Sequence, residues 1–504
     1  MKLLSISALN HDHNICYYDG TRLHYHKLER TKQIKRYRNQ DLLSWVNEIN
    51  QLWNLELSEI DEIIIDVDIS KYQILNISQK YKDAATLKIN GFPYEKEIWY
   101  IGHHYSHALS SWMMTPLTPS THIVIDGLGD ARPWSVYKDN SLVAFGNIAN
   151  GSIGWGMRDA GKYLGISAGH YNDIAGKVMA LQSYGKLHSN FLEYLRNFEI
   201  DSINKIFSPD TWHNFVNDRS ISQNTLLDWI HTVHFRVGEL IVDLFKQYAS
   251  PDDCITYSGG VAQNVIWNTE IRNHYKNVII PPHSSDEGTS LGGIEWLRIK
   301  NELPKFVLNN FPYSQSDIKP STTPEIDTIK IAAKMLADGK VIGWYQGNGE
   351  VGPRALGNRS ILCDPRMKQS RQIVNQIKNR EQYRPFGASV LTEHAKKWFH
   401  VNINDPYMLY TVYVKHDNLP GVTHVDGTCR IQMVDDTNII FKTLLDEFYK
   451  ITDCPVLLNT SLNIAGKPLA GFPDNAVELF QSSSLDAMFI GNEIYIKKID
   501  NIKN

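Results

Sequence analysis

The sequence predicts an α/β protein of two domains, the first built on a duplication, and three observations carry that reading. The chain has 504 residues, more than one ordinary hydrophobic core serves. A strand–loop–hairpin pattern occurs twice in its first third. A stretch rich in Pro, Ser and Thr, PYSQSDIKPSTTP, then interrupts the chain before a fresh run of helix and strand patterns. The expected divisions are a first domain over 1–312, a linker over 313–324, a second domain over 325–498 and a polar tail over 499–504.

The first copy of the pattern is KLLSISALNHDHNICYYDGTRLHYHK: an apolar strand, a loop at Asn10-His11-Asp12, and two strands joined at Asp19-Gly20. The second is HIVIDGLGDARPWSVYKDNSLVAFGN, with its loop expected at Asp126-Gly127 and its hairpin turn at Asp139-Asn140. Asp-Gly and Asp-Asn between β-formers are good two-residue turns. Loops that follow the first strand of each copy would face one another across a cleft, the layout of the actin-like ATPase fold. HHYSHALSSWMM reads as helical, and residues 223–249 keep apolar positions at helical spacing from Leu226 to Leu244. CITYSGGVAQNVIWNTEI reads as strand, glycine turn and helix, and IIPPHSSDEGTSLGGIEWLR repeats that idea. Beyond the linker, Glu325 to Asp338 reads as a helix ending at Gly339, and VIGWYQ as a buried strand. The terminal KKIDNIKN is expected to fray.

Composition narrows the class. Hydrophobic residues make up 42% and charged residues 21%, ordinary globular values. No apolar run is long enough for a membrane helix, and the start reads as a strand, not a signal peptide. A net charge of −4 gives no reason to expect nucleic acid. The cysteines, Cys16, Cys254, Cys363, Cys429 and Cys454, include no CxxC pair, which fits a reduced, cytoplasmic protein without zinc fingers. A homodimer is the default oligomer.

Two constellations carry chemistry. Arg354 in EVGPRALGNRS, then Lys378, Arg380 and Arg384 in NQIKNREQYRPFG, set fixed cations beside glycine, proline and an apolar strand. Such a run is ordinarily a solvated helix face, but here Pro385-Phe386 and an apolar segment follow at once. Several guanidiniums beside one lysine suit a pocket that neutralises phosphate oxygens. In HHYSH, His103 and His107 are four apart and share one helix face, so both can ligate one metal. Asp126 in VIDGLGD and Asp286 in SSDEGTSLGG sit in glycine-rich turns, where turn chemistry alone would account for them. Two imidazoles with two carboxylates would suit Fe²⁺, Mn²⁺ or Zn²⁺ better than Ca²⁺. His231 and His234 fall on an apolar helix and read as packing residues. Gly347-x-Gly349-x-x-Gly352 imitates a dinucleotide fingerprint, but Pro353 and Gly357 argue against the helix it needs. Gly165-Ile166-Ser167-Ala168-Gly169 imitates a nucleophile elbow without a preceding strand, and no P-loop is present.

These motifs resemble, in order, those of the O-carbamoyltransferases of the nodulation and antibiotic-tailoring type. The resemblance spans HHYSHALS, VIDGLGD, GKVMALQSYG, SGGVAQNVIWN, SSDEGTSLGG and the whole of 343–391. It implies an actin-like, Kae1-like first domain with an iron-type metal, Fe²⁺ or a similar divalent ion, on His103, His107, Asp126 and Asp286. It implies nucleotide contacts at Gly259, Gly260, Asn264 and Lys177, with His11 near the transfer site. It implies a YrdC-like second domain in which Lys378-x-Arg380, Ser461-x-Asn463, Arg354, Arg384, His424 and Arg430 meet carbamoyl phosphate and Mg²⁺-ATP. Lys378 and Arg384 would act catalytically there, and His11 in the first domain. Asn459, Thr460 and Asp426 extend these stretches, and Lys467 stands where the family usually has Glu. The implied activity forms carbamoyl-adenylate from carbamoyl phosphate and ATP and places the carbamoyl group on a hydroxyl of a small-molecule or glycan acceptor. The alternatives are a hydrogenase-maturation or threonylcarbamoyl type of enzyme, or a noncatalytic actin-fold ATP-binding protein.

Overall fold

The computed structural model describes residues 1–7, 11–38, 42–68, 85–87, 98–217, 226–306, 308, 310–316 and 321–497. The expected fraying tail after Lys497 and Asn10 of the first loop lie outside the described residues. By packing, the chain divides into one unit of residues 1–28 and 36–308 and a second of residues 29–35 and 309–504.

The first unit holds two sheets. Strands β1 (Leu3–Ser7), β2 (Asn14–Tyr18), β3 (Leu23–Lys27), β4 (Glu62–Val67), β5 (Ala85–Leu87) and β6 (Ile98–Gly102) form one, in the order β3-β2-β1-β4-β6-β5. Strands β7 (Thr121–Gly129), β8 (Arg132–Lys138), β9 (Ser141–Phe145), β10 (Ile255–Ser258) and β11 (Val278–Ile279) form the other, in the order β11-β10-β7-β8-β9. In each, an antiparallel meander (β1–β3, β7–β9) is continued by parallel strands (β4 and β6, β10 and β11). This is the duplicated actin-like layout, and the duplication is in topology, where the sequence shows it only as pattern.

One expected loop is different. β7 does not stop at Asp126-Gly127 but runs to Gly129, and the chain turns at Asp130 and Ala131, both with positive φ. The pairing with β8 shifts register between Ile125 and Gly129. The bulge keeps the backbone extended while re-aiming Asp126.

Two helices, His103–Trp112 and Thr289–Lys300, pack on one another, and the latter also lies against β1. Their approach needs glycine: a Cβ at Gly292 would stand 1.9 Å from the Ser106 carbonyl oxygen, and one at Gly293 2.3 Å from Ser5 Oγ. That is the physical reason for the GTSLGG wording. The expected helix near 223–249 spans Leu226–Tyr248, with Trp229, Ile230, Val233, Val237 and Leu240 buried.

The second unit is one mixed sheet under helices. Its strands β12 (Ile342–Tyr345), β13 (Arg359–Cys363), β14 (Gly387–Leu391), β15 (Thr411–Tyr413), β16 (Thr428–Val434), β17 (Val456–Ser461), β18 (Ala487–Ile490) and β19 (Glu493–Ile496) run in the order β15-β16-β14-β17-β13-β12-β18-β19. The expected helix spans Ile326–Ala337, capped by Glu325 and Asp338 with Gly339 at positive φ, and it packs on Ile439–Thr452. Trp344, Ile361, Val390, Ile431, Leu457 and Phe489 fill the core.

A short segment near the N-terminus belongs to this second unit. Arg30 Nη2 donates to the Gly352 carbonyl at 3.0 Å and Gln33 Nε2 to that of Leu469 at 3.3 Å. A Cβ at Gly471 would fall 1.8 Å from the Arg30 carbonyl oxygen. Among the described residues no helix is long and apolar enough to cross a membrane.

Candidate active sites

In the first unit the His103–Trp112 helix begins directly after β6, with its residues from His103 to Ser111 all buried. His103 Nε2 and His107 Nε2 lie 3.2 Å apart on one face. Asp126 enters from the β7 bulge, its Oδ2 3.6 Å from His103 Nε2. Asp286 enters from the turn before the Thr289–Lys300 helix, its Oδ1 3.6 Å from His103 Nε2 and 3.5 Å from His107 Nε2. One ligand atom from each of the four lies within 4.8 Å of the others. Donors about 2.0–2.2 Å from one ion stand roughly 3–4 Å apart, so the set fits a first-row divalent metal.

The electrostatics agree. Burial opposes charge on His103, but the carboxylates of Asp66, Asp286 and Asp126 overcome it and hold its pKa well above the ordinary histidine value. Burial likewise opposes the charge on Asp126, yet the hydrogen bond with His103 and the nearby imidazoles bring it down to about 2. The negative charge converging on His103 favours a cation at this cluster.

Behind the four stand residues that sequence reasoning missed. Asp66 Oδ2, at the end of β4, lies 3.3 Å from His103 Nδ1, the arrangement by which a carboxylate orients a metal-ligating imidazole. Its only trace in the sequence is an acid ending the apolar EIIID run. Gly259 has φ +93° and passes so close to β7 that a Cβ would meet the Ile125 carbonyl oxygen at 2.2 Å. The close passage lets the Gly260 amide donate to Asp126 Oδ1 at 2.7 Å.

His11 sits beside this cluster. Its Nδ1 lies 2.8 Å from Asp12 Oδ2 and 3.4 Å from Asp286 Oδ2, and its Nε2 lies 2.8 Å from Asn172 Nδ2. Asn172 is a second missed residue. Two expected nucleotide contacts have local work as well. Asn264 accepts from the Ile266 and Trp267 amides, capping the Val265–His274 helix, and its Nδ2 lies 3.0 Å from His234 Nε2. Lys177 donates to the Ser167 carbonyl at 2.6 Å. His234 itself is buried and stacks on Trp267.

In the second unit Lys378 follows the Ser370–Ile377 helix and is 3% exposed. Its ammonium lies 2.8 Å from both the carbonyl oxygen and Oδ1 of Asn463, and it also donates to Ser461. The lysine of the expected Lys-x-Arg pair therefore meets the Ser-x-Asn pair, while Arg380 bonds within its own loop. Arg380 bonds Asn375 Oδ1 through Nε and stacks 4.1 Å over Phe386. Arg384 has Glu381 Oε2 3.9 Å away. Burial, then Arg380, Arg384 and Lys35, push Lys378 well below the ordinary lysine value. Burial, Arg384 and Arg430 likewise disfavour charge on Arg380, and since guanidiniums keep their proton the pocket is left with an excess of positive charge that Glu381 offsets only in part.

The Arg354 loop is shaped from beneath: fully buried Glu350 accepts through one oxygen from the amides of Leu356, Asn358 and Arg359, at 2.8, 2.9 and 3.1 Å. Glu350 too was missed. His424 is buried, with Nδ1 3.7 Å from Asp426 Oδ1. Lys467 is exposed, and its carbonyl accepts from Asn463 Nδ2. The reversal of side-chain charge there faces solvent.

Residues 72–294 match the family model described as Carbamoyltransferase N-terminus, and residues 333–498 match Carbamoyltransferase C-terminus. The nodulation protein NolO of Bradyrhizobium diazoefficiens is 30% identical over 445 residues, covering 78% of this chain and 78% of that protein. The chain belongs to the carbamoyltransferase family. Nodulation protein NolNO of Sinorhizobium fredii is 30% identical, over 80% of this chain and 64% of that protein. The 3'-hydroxymethylcephem-O-carbamoyltransferase of Streptomyces clavuligerus is 34% identical, over 52% of each. As a carbamoyltransferase the chain is a transferase with a carbamoyl donor and an acceptor.

Proposed function

We propose that this carbamoyltransferase makes carbamoyl-adenylate in its second unit and transfers the carbamoyl group to an acceptor hydroxyl in its first. The observation that carries the reading is the convergence of Lys378, Arg380, Arg384 and Arg430, in which burial and mutual repulsion disfavour charge on Lys378, Arg380 and Arg430. A pocket that depresses its own cations gains most by admitting an anion of several charges, as ATP and carbamoyl phosphate are.

The atoms balance with one water. Water releases inorganic phosphate and carbamate from carbamoyl phosphate. A carbamate oxygen then attacks the α-phosphorus of ATP, and pyrophosphate leaves with the electron pair of the broken P–O bond. Lys378 and Arg384 would hold the oxygens that gain charge, and Mg²⁺ entering with ATP would supply further charge neutralisation. Ser461 and Asn463 would fix the Lys378 ammonium in place.

In the first unit, His103, His107, Asp126 and Asp286 would hold the divalent metal, Fe²⁺ or a similar ion. When bound it supplies Lewis-acid stabilisation for the departing phosphate oxygens. The acceptor oxygen attacks the carbamoyl carbon, the C–O bond to AMP breaks, and the hydroxyl proton leaves the nascent carbamate ester. His11, oriented by Asp12 and Asn172, would bind or accept that proton. Gly260 would keep Asp126 aimed at the metal.

The test is pyrophosphate release from ATP and Mg²⁺ without acceptor. Release that requires carbamoyl phosphate supports the reading. A folded protein that binds ATP but releases none under either condition would sink it.

A further inference from the structure

Resting on the metal reading of the first unit, we infer that Asp130 is a positioning residue of that centre. From the tip of the β7–β8 hairpin its carboxylate ties the strand that carries Asp126 to the helix that carries His103 and His107. The four ligands come from three separate elements: that helix, β7 and the turn at Asp286. One ion can collect them only if those elements keep their mutual placement to a fraction of an ångström. Asp130 Oδ1 accepts from the His103 amide at 3.2 Å and Oδ2 from the His104 amide at 3.0 Å. These amides open the helix and have no carbonyl within it to meet. Gly102, the residue before them, has no side chain with which to cap. The cap comes instead from the far end of β7, from a residue only 5% exposed.

The hairpin tip lies close on the helix. A Cβ on Gly129 would stand 2.3 Å from His103 Cδ2 and 2.7 Å from His104 Cδ2. His104 Nδ1 lies 2.8 Å from Oγ of Ser135 in β8. Farther along, Ser258 in β10 donates through Oγ to the His107 carbonyl at 2.9 Å, and β10 pairs with β7. The sheet that holds Asp126 thus grips the helix at both of its ligand residues. His103 has its amide held by Asp130 and its Nδ1 by Asp66, which turns its Nε2 to Asp126 and Asp286. The turn itself is a second, independent sign. Asp130 and Ala131 have φ of +54° and +57°. Such turns favour Asn-Gly or Asp-Gly, and an alanine at positive φ is strained. Strain persists where surrounding contacts over-determine the backbone, and here those contacts are with the metal-bearing helix.

Asp130→Asn separates the tie from the turn. Asparagine suits this turn as well as aspartate does, so the hairpin keeps its shape. Its side chain offers one acceptor where the carboxylate offers two, and no charge.

The experiment strips the full-length protein of metal and titrates it with Co²⁺, whose visible absorption reports the geometry of its ligands. Asp130→Asn should weaken Co²⁺ binding about ten-fold in competition with a chelator, the scale of a lost supporting contact. It should also change the visible spectrum of the fully loaded protein while far-UV circular dichroism stays the same. Acceptor-free pyrophosphate release should keep its wild-type rate. Ala131→Gly relieves the turn and leaves the carboxylate in place, so it should raise the urea midpoint with Co²⁺ affinity and spectrum as in wild type. Unchanged affinity and spectrum in Asp130→Asn overturn the inference. So does an equal loss in Ala131→Gly, which would trace the effect to hairpin stability alone. If Asp130→Asn does not fold, Ser135→Ala removes the neighbouring tie to the same helix. Weaker Co²⁺ binding with an altered spectrum there supports the inference, and wild-type behaviour refutes it. A wild type that binds no Co²⁺, Mn²⁺ or Fe²⁺ brings down the metal reading and the inference together. Metal binding without carbamoyl-phosphate-dependent pyrophosphate release removes only the proposed activation chemistry, and the Co²⁺ comparison still decides Asp130.

Discussion

His107 is the residue that best separates the two proposed half-reactions. It is fully buried, and its Nε2 faces His103 and Asp286. His107→Ala should abolish carbamoyl transfer and leave carbamoyl-phosphate-dependent pyrophosphate release within about two-fold of wild type, both read on one preparation. Equal loss of both would contradict separate sites. Lys378→Met should do the reverse, removing pyrophosphate release altogether. Asp66 makes a finer prediction because it would act only through His103. Asp66→Asn should weaken metal affinity about 10–100-fold, measured by competition with a chromogenic chelator, while circular dichroism stays unchanged. Undiminished affinity would show the 3.3 Å approach to His103 to be incidental. At this scale the sequence was uneven in what it disclosed. The shared face of His103 and His107 was legible because the two obey helical spacing. Asp66, Asn172 and Glu350 were not, since each acts through a partner that is distant in sequence or hidden in a loop fold, and no local spacing encodes it.

Elements were legible where one period governs them. The Leu226–Tyr248 and Ile326–Ala337 helices follow their apolar stripes, and both meanders follow their turns. The Asp126-Gly127 loop was misjudged because an Asp-Gly pair signals a turn locally, whereas pairing with β8 carries the strand past it through a bulge. Tertiary demand also explains Gly292, which weakens a helix that must lie against the Ser106 carbonyl. Gly292→Ala, harmless or stabilising in an isolated helix, should therefore destabilise this protein by about 1–3 kcal/mol through overpacking, measured by urea unfolding. A gain in stability would mean that the two helices can separate without cost.

For the whole molecule, metal removal should divide the chemistry as His107→Ala does. Dialysis against a chelator, followed by Mg²⁺ repletion, is expected to stop transfer and spare pyrophosphate release, with Fe²⁺ or Mn²⁺ restoring transfer. Loss of both, or of neither, would argue against a metal confined to the first unit's chemistry. The Pro/Ser/Thr stretch follows Leu308, where the first unit ends, and nothing in composition shows that residues 29–35 are housed with the second. That excursion bears on modularity. Although two family models describe the chain, it cannot be cut once into two self-sufficient pieces. A C-terminal fragment made alone would lack the length of backbone that fits at Gly471 and the guanidinium that braces Gly352. Anyone transplanting the second unit into a relative must graft a discontinuous part, and recombination that respected only the linker would break it.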